Sequence, residues 1–159
     1  MKACLSAVLG VLLAACASLG DDRALPAYRL ITVESESAQP AAREVLRYLA
    51  AGDIEQAAQF SNAPERRAEV LRDYRQSVGE VEFRRIFSDY GARKVVAELA
   101  IGERRLLVWD LGKEVSGQFF VRAGDRFLID DVPSAERSEL RRLLGAYRAG
   151  RLKPSAGTD

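Results

Sequence analysis

Histidine is absent from all 159 residues, and cysteine, methionine and tryptophan occur only two, one and one times. Without an imidazole the chain lacks the commonest general base near neutral pH, the usual nucleophile–histidine pairs and most zinc chemistry. A serine nucleophile would need another base, and a metal site would have to be built from oxygen alone. Neither a phosphate-binding glycine loop of the G-x-x-x-x-G-K-[ST] or G-x-G-x-x-G kind nor an EF-hand loop occurs. No cofactor and no metal is expected. An excess of either charge is also missing: 24 Lys and Arg oppose 23 Asp and Glu. A nucleic-acid partner would need a basic face, so none is expected. The pairs Arg66-Arg67, Arg84-Arg85, Arg104-Arg105 and Arg141-Arg142 each have acidic residues nearby and read as solvated faces. No internal repeat or low-complexity tract is present. Finally, no apolar run approaches the roughly 20 residues of a spanning helix.

What the chain does have is a short apolar run with a meaningful end. Lys2 precedes the stretch Cys4 to Ala15, which closes as Leu13-Ala14-Ala15-Cys16. A basic start, an apolar core and small residues before a cut site make a secretory signal. The last four residues resemble the lipobox of bacterial lipoprotein precursors. The resemblance implies cleavage after residue 15, diacylglyceryl and palmitate-type lipidation of the Cys16 thiol, and residence in the cell envelope. An ordinary secretory cut after Ala-x-Ala, read as Ala15-Cys16-Ala17, is the alternative, but it gives the Cys16 thiol no role. With Cys4 removed, Cys16 has no partner for an intrachain disulfide. Ala17 and Ser18 behind the cysteine point, by analogy with enteric sorting, to the periplasmic face of the outer membrane rather than the inner membrane.

The organisation expected is a signal peptide at 1–15, lipidated Cys16 and a tether at 16–27, one domain at 28–150 and a polar tail at 151–159. Eleven tether residues reach at most about 36–40 Å. Within the domain, Tyr28 to Val33 reads as a short strand or the end of the tether. Ala42, Val45, Leu46 and Leu49 place an apolar stripe on a helix from Ala38 to Ala51. Ser37 is a candidate cap and Gly52 a stop. Asp53-x-x-Gln56 has capping-box spacing for a short second helix, and Pro64 to Val78 reads as a third. The period then changes to alternation. Strands are expected at Val81–Asp89, Lys94–Ile101, Arg104–Leu111, Val115–Arg122 and Arg126–Val132. On the second of these, Val95, Ala97, Leu99 and Ile101 share one face. Pro133 and Ser134 stop the sheet and start a helix reaching about Ala149. Helices followed by an antiparallel meander of four or five strands and a last helix argue for an α+β fold.

The segment VLRYLAAGDIEQAAQFS, ending at Ser61, resembles the opening of NTF2-like (cystatin-like α+β) domains, with an apolar helix, a Gly-Asp turn and an Ala-rich helix. The segment GQFFVRAGDRFLIDDV resembles their final hairpin. The resemblance covers about residues 38–132. It implies N-terminal helices packed on a curved antiparallel sheet, a roll with a cone-shaped cavity. Phe127 stands where the group often has Trp, and the helix after Val132 is an addition able to plug that cavity.

Trp109, Phe119, Phe120 and Phe127 are the aromatics expected to line an apolar pocket or, by default, the core. Asp110 lies in an apolar strand and would need an arginine partner if buried. Asp130 and Asp131 are adjacent, so on a strand they point to opposite faces and cannot form a catalytic pair alone. In the ketosteroid-isomerase branch of the NTF2-like group an inward acid acts as a base; a surface carboxylate that helps to cap the next helix is the plainer reading. Asp89 and Tyr90, beside Gly91, read as a turn. Arg137, Arg141, Arg142 and Arg148 give the last helix a basic face able to touch anionic head groups, diluted by Glu136 and Glu139.

The function expected is therefore a lipid-anchored, non-enzymatic binding or accessory module at the periplasmic membrane surface. Its partners would be the membrane itself, an envelope protein or a small apolar ligand. Two alternatives are an immunity-type inhibitor of a periplasm-targeted enzyme and an NTF2-like enzyme acting on a small apolar substrate. The address is directly testable: Cys16→Ser abolishes lipid processing and releases or stalls the protein, and unchanged membrane partition in cell fractionation contradicts it.

Overall fold

The computed structural model describes residues 24–152. The signal-like segment 1–15, Cys16 with most of the tether, and tail residues 153–159 lie outside the described residues. Helices α1 (Gln39–Ala50), α2 (Ile54–Ala58), α3 (Pro64–Val78) and α4 (Glu80–Gly91) precede the main strands, and α5 (Ala135–Arg148) follows them. Strands β1 (Arg29–Leu30), β2 (Val95–Ile101), β3 (Arg104–Asp110), β4 (Val115–Ala123) and β5 (Arg126–Ile129) form one open antiparallel sheet in chain order. The fold is α+β.

Helix α1 buries the stripe its spacing predicts, Ala42, Val45, Leu46 and Leu49. Its start is fixed from outside the helix. Glu98 on β2 is buried, with one carboxylate oxygen 2.7 Å from the backbone nitrogen of Ala38 and the other 2.5 Å from the Ser37 hydroxyl. That hydroxyl in turn accepts from the Gln39 backbone N–H at 3.1 Å. A carboxylate there satisfies orphan donors and complements the helix dipole. Gly52 ends the helix region at φ 80°, a conformation that favours glycine, and Asp53 caps α2 by accepting from the Gln56 N–H at 3.1 Å.

The segment Val81–Asp89, expected as a strand, is helical instead: it lies within α4. The alternation was incidental. Phe83, Ile86, Phe87 and Tyr90 follow i, i+3, i+4, i+7, while Val81, which fitted the alternating pattern, is 82% exposed. The rings of Phe83 and Phe87 meet edge-on at 4.8 Å. The surface pairs Arg85–Glu82 and Arg85–Asp89 are screened by solvent and contribute little, whereas burying Phe83 contributes about 1.5–3 kcal/mol. Packing therefore decides the helix.

Both faces of the sheet are covered. Leu107, Trp109, Phe120 and Phe127 pack under Ala38, Ala42 and Leu46 of α1 and its approach. Ala97, Leu99, Leu106 and Val108 pack under Leu140, Leu143, Leu144 and Ala146 of α5. The added helix thus covers the opposite face of the sheet from α1, and only its first turn reaches towards the end of β5. Gly117 makes room for it: a Cβ there would stand 2.5 Å from a methyl carbon of Leu144. Register in β2 shifts between Val95 and Ala97. Ala97, Leu99 and Ile101 keep the α5 face as expected, but the irregularity turns Val95 to the α1 face beside Trp109. β1 is shorter than the Tyr28–Val33 expected, and β5 stops at Ile129 rather than Val132. Beyond α5, Leu152 folds back and is only 7% exposed, packing with the α5 core, so the polar tail starts later than Arg151.

Candidate functional site

The end of β5 creates the site. β5 pairs with β4 only from Phe120 to Ala123, so Val115–Phe119 of β4 run on past it. Between this free stretch, the helices α1, α3 and α4, and the first turn of α5 lies a cavity of about 350 Å³. Val45, Leu49, Leu71, Phe87, Phe119 and Phe120 form its apolar wall. Arg67, Asp130, Asp131 and Arg137 form a charged one. A mostly apolar concavity with a few placed polar groups is the ordinary form of a small-molecule site.

The two carboxylates are the best-fixed groups in it. Asp130 is 1% exposed, and its two oxygens lie 2.9 Å from Asn62 Nδ2 and 3.0 Å from Arg104 Nε. Asp131 accepts from the Ser61 hydroxyl at 2.6 Å and from Arg67 Nε at 2.8 Å, and a second Arg67 nitrogen completes a bidentate pair. The backbone N–H of Asp131 donates to Asn62 Oδ1 at 2.8 Å. Adjacent residues leaving a strand point opposite ways, so the two acids clamp two different elements. Asp130 holds β3 through Arg104, and Asp131 holds α3 through Arg67. The expectation of a plain surface carboxylate fails for Asp130. Ser134 caps α5 without carboxylate help, accepting from the Arg137 N–H at 3.1 Å.

The aromatics divide. Phe119 and Phe120 line the cavity. Trp109 does not: it is fully buried under α1 and α4, 5.2 Å from the ring of Tyr90, and donates from Nε1 to Gln118 Oε1 at 3.1 Å. Phe127 does not either; it is held between the guanidinium groups of Arg105 and Arg122, 5.1 and 5.0 Å from the ring centroid. Asp110 is neither buried nor near the cavity. As the last residue of β3 it is exposed and accepts from the Gly112 N–H at 2.7 Å, which closes a turn. Asp89 and Tyr90 belong to the last turn of α4; burial pushes the Tyr90 phenol pKa up, and a hydrogen bond with Ser116 partly offsets this. Cys16 lies outside the described residues.

The rest of the wall was not readable from local pattern. Val45, Leu49 and Leu71 carry the same signal as any buried helix position, and Phe87 sits in the segment read as a strand. Two arginine-bearing segments about 75 residues apart also meet. Arg66 and Arg67 of α3 face Arg137 and Arg141 of α5 across a second concavity of about 330 Å³ that adjoins the first at Arg67, Asp131 and Arg137. Scans against protein-family models, curated proteins and solved structures found no match to this chain.

Breaking the clamp costs stability. Asp130→Ala leaves Asn62 Nδ2 without its acceptor and Arg104 with only its longer contact to Glu136, and a loss of about 3 kcal/mol is expected in chemical denaturation. Asp110→Ala, at the exposed turn, changes stability by less than about 0.5 kcal/mol. Equal effects from the two variants contradict this assignment.

Proposed function

We propose that the protein is a lipid-anchored envelope protein whose domain binds a small apolar or amphipathic molecule beside the free stretch of β4. It acts as a non-enzymatic binding or accessory module on the periplasmic side of the outer membrane. The observation that carries this reading is the cavity of about 350 Å³ with one apolar and one charged wall. We read the domain as a variant of the NTF2-like roll. An apolar helix, a Gly-Asp turn and a capped short helix precede the sheet, and the cavity lies between helices and strands, as in that group.

Two further observations support binding over catalysis and a site held near a lipid surface. Both oxygens of Asp130 and both of Asp131 are engaged by Asn62, Ser61 or arginine, so neither acid presents an idle oxygen as a base. The carbonyl of Ala24 accepts from Arg142 of α5 at 3.1 Å. Cys16 is eight residues upstream, so at most about 29 Å of chain separates its lipid from α5. No described helix is long and apolar enough to cross a membrane. In this reading attachment is through the lipid on Cys16, and two or three acyl chains make it effectively permanent.

The test is titration of the full chain with an uncharged environment-sensitive dye such as N-phenylnaphthylamine. Saturable enhancement at one dye per chain is expected, and Phe119→Asp, which places a charge in the apolar wall, weakens it at least tenfold. Absence of saturable binding, or no effect of Phe119→Asp, contradicts the pocket reading.

A further inference from the structure

The second concavity has an unusual charge balance. Four guanidinium groups, from Arg66, Arg67, Arg137 and Arg141, line it against the single carboxylate of Asp131. The whole chain is nearly neutral, with 24 basic and 23 acidic side chains, so this excess is local. The acid that lines the cleft and both acids of α5 are already committed: Asp131 to Arg67, Glu136 to Arg104 at 3.4 Å and Glu139 to Arg142 at 2.6 Å. Among the described residues, Arg66, Arg137 and Arg141 form no ion pair.

Arg137 is held in a costly state. Its guanidinium lies 5.3 Å from the centroid of the Phe119 ring, and its Nε is the one buried side-chain nitrogen or oxygen without a hydrogen-bond partner among the described residues. An orphaned buried donor on a charged group carries an uncompensated desolvation penalty. The cation–π contact offsets part of this. A bound anion beside the same guanidinium offsets more, because arginine pairs with phosphate and carboxylate oxygens in bidentate, charge-assisted geometry. Ser134 and Ser138, on the same edge of the cleft, add hydroxyl groups.

Arg67, Asp131 and Arg137 belong to both concavities, so the cationic cleft opens directly beside the apolar pocket. We infer that the ligand of this protein is an anionic amphiphile: its apolar part lies against Val45, Phe87 and Phe119, and its phosphate or carboxylate lies among Arg66, Arg137 and Arg141. This rests on the pocket reading above and adds the chemical class of the ligand. Arg67 takes a smaller share, because Asp131 already occupies its fork.

Calorimetric titration of the full chain with dodecyl phosphate, dodecanol and inorganic phosphate, each below its aggregation limit, tests the inference. Dodecyl phosphate is expected to bind at least tenfold more tightly than dodecanol. In the Arg66→Gln/Arg141→Gln variant, altered only at exposed positions, that advantage shrinks to threefold or less with dodecanol binding unchanged. Arg137→Gln, checked for folding by its melting temperature, also reduces the advantage of dodecyl phosphate over dodecanol to threefold or less. If dodecanol binds as well as dodecyl phosphate, the inference about the head group is overturned and the pocket reading survives. If inorganic phosphate binds as tightly as dodecyl phosphate, the amphiphile is overturned in favour of a free oxyanion. If none of the three binds, the pocket reading itself fails.

Discussion

The paired carboxylates at the end of β5 hold this molecule in its working shape. Asp130 and Asp131 point apart because the backbone there is still extended, and each closes on an arginine from a different layer. Asn62 bridges them, accepting from the Asp131 backbone and donating to the Asp130 side chain. The α2–α3 loop, β3, α3 and the start of α5 are thereby tied to one point. Surface ion pairs elsewhere, such as Arg47–Glu44, are exposed and contribute little. A buried pair need not be more stabilising than an apolar substitute, but breaking it strands a charge. Its value here is positional: it stops β5 four residues after it starts and leaves the wall of β4 uncovered.

That early stop separates this sheet from a fully packed one. Over most of its area α1 covers one face and α5 the other, and the apolar residues of β2 and β3 are consumed by those contacts. Where β4 outruns β5, α5 still meets the strand at Gly117, but the strand edge beside Phe119 and Phe120 is left without a partner. The cavity is the space that remains. Its two walls have different origins: the apolar one is helix core left short of a partner, and the charged one is the clamp itself.

Much of the fold was legible because it is written in local periodicity. The stripe from Ala42 to Leu49, the Asp53 cap and the span of α3 follow from spacing alone. The strands from Val95 to Ile129 follow from alternation and turn residues. Failures came where two periods coincide or where tertiary contact decides. Phe83 and Phe87 satisfy both alternation and helical spacing, and only the exposure of Val81 separates them. The β2 irregularity that turns Val95 has no residue signature. Asp110 looked buried because apolar residues precede it, yet the strand ends there. The site was less legible still. Phe119 and Phe120 were identified among the aromatics, but Trp109 and Phe127 serve the core. The arginine cleft joins α3 to α5, and each half alone has acids enough in sequence to look neutral.

The molecule that occupies the cavity in the cell decides what this domain is for. The most direct measurement is native mass spectrometry of the full chain isolated in a non-ionic detergent from the cells that make it, with the bound small molecule released and fragmented. One anionic amphiphile per chain, carrying a phosphate or carboxylate, is the predicted result. A chain isolated with its cavity empty, or bound only to a stoichiometric protein partner, would contradict the proposed ligand.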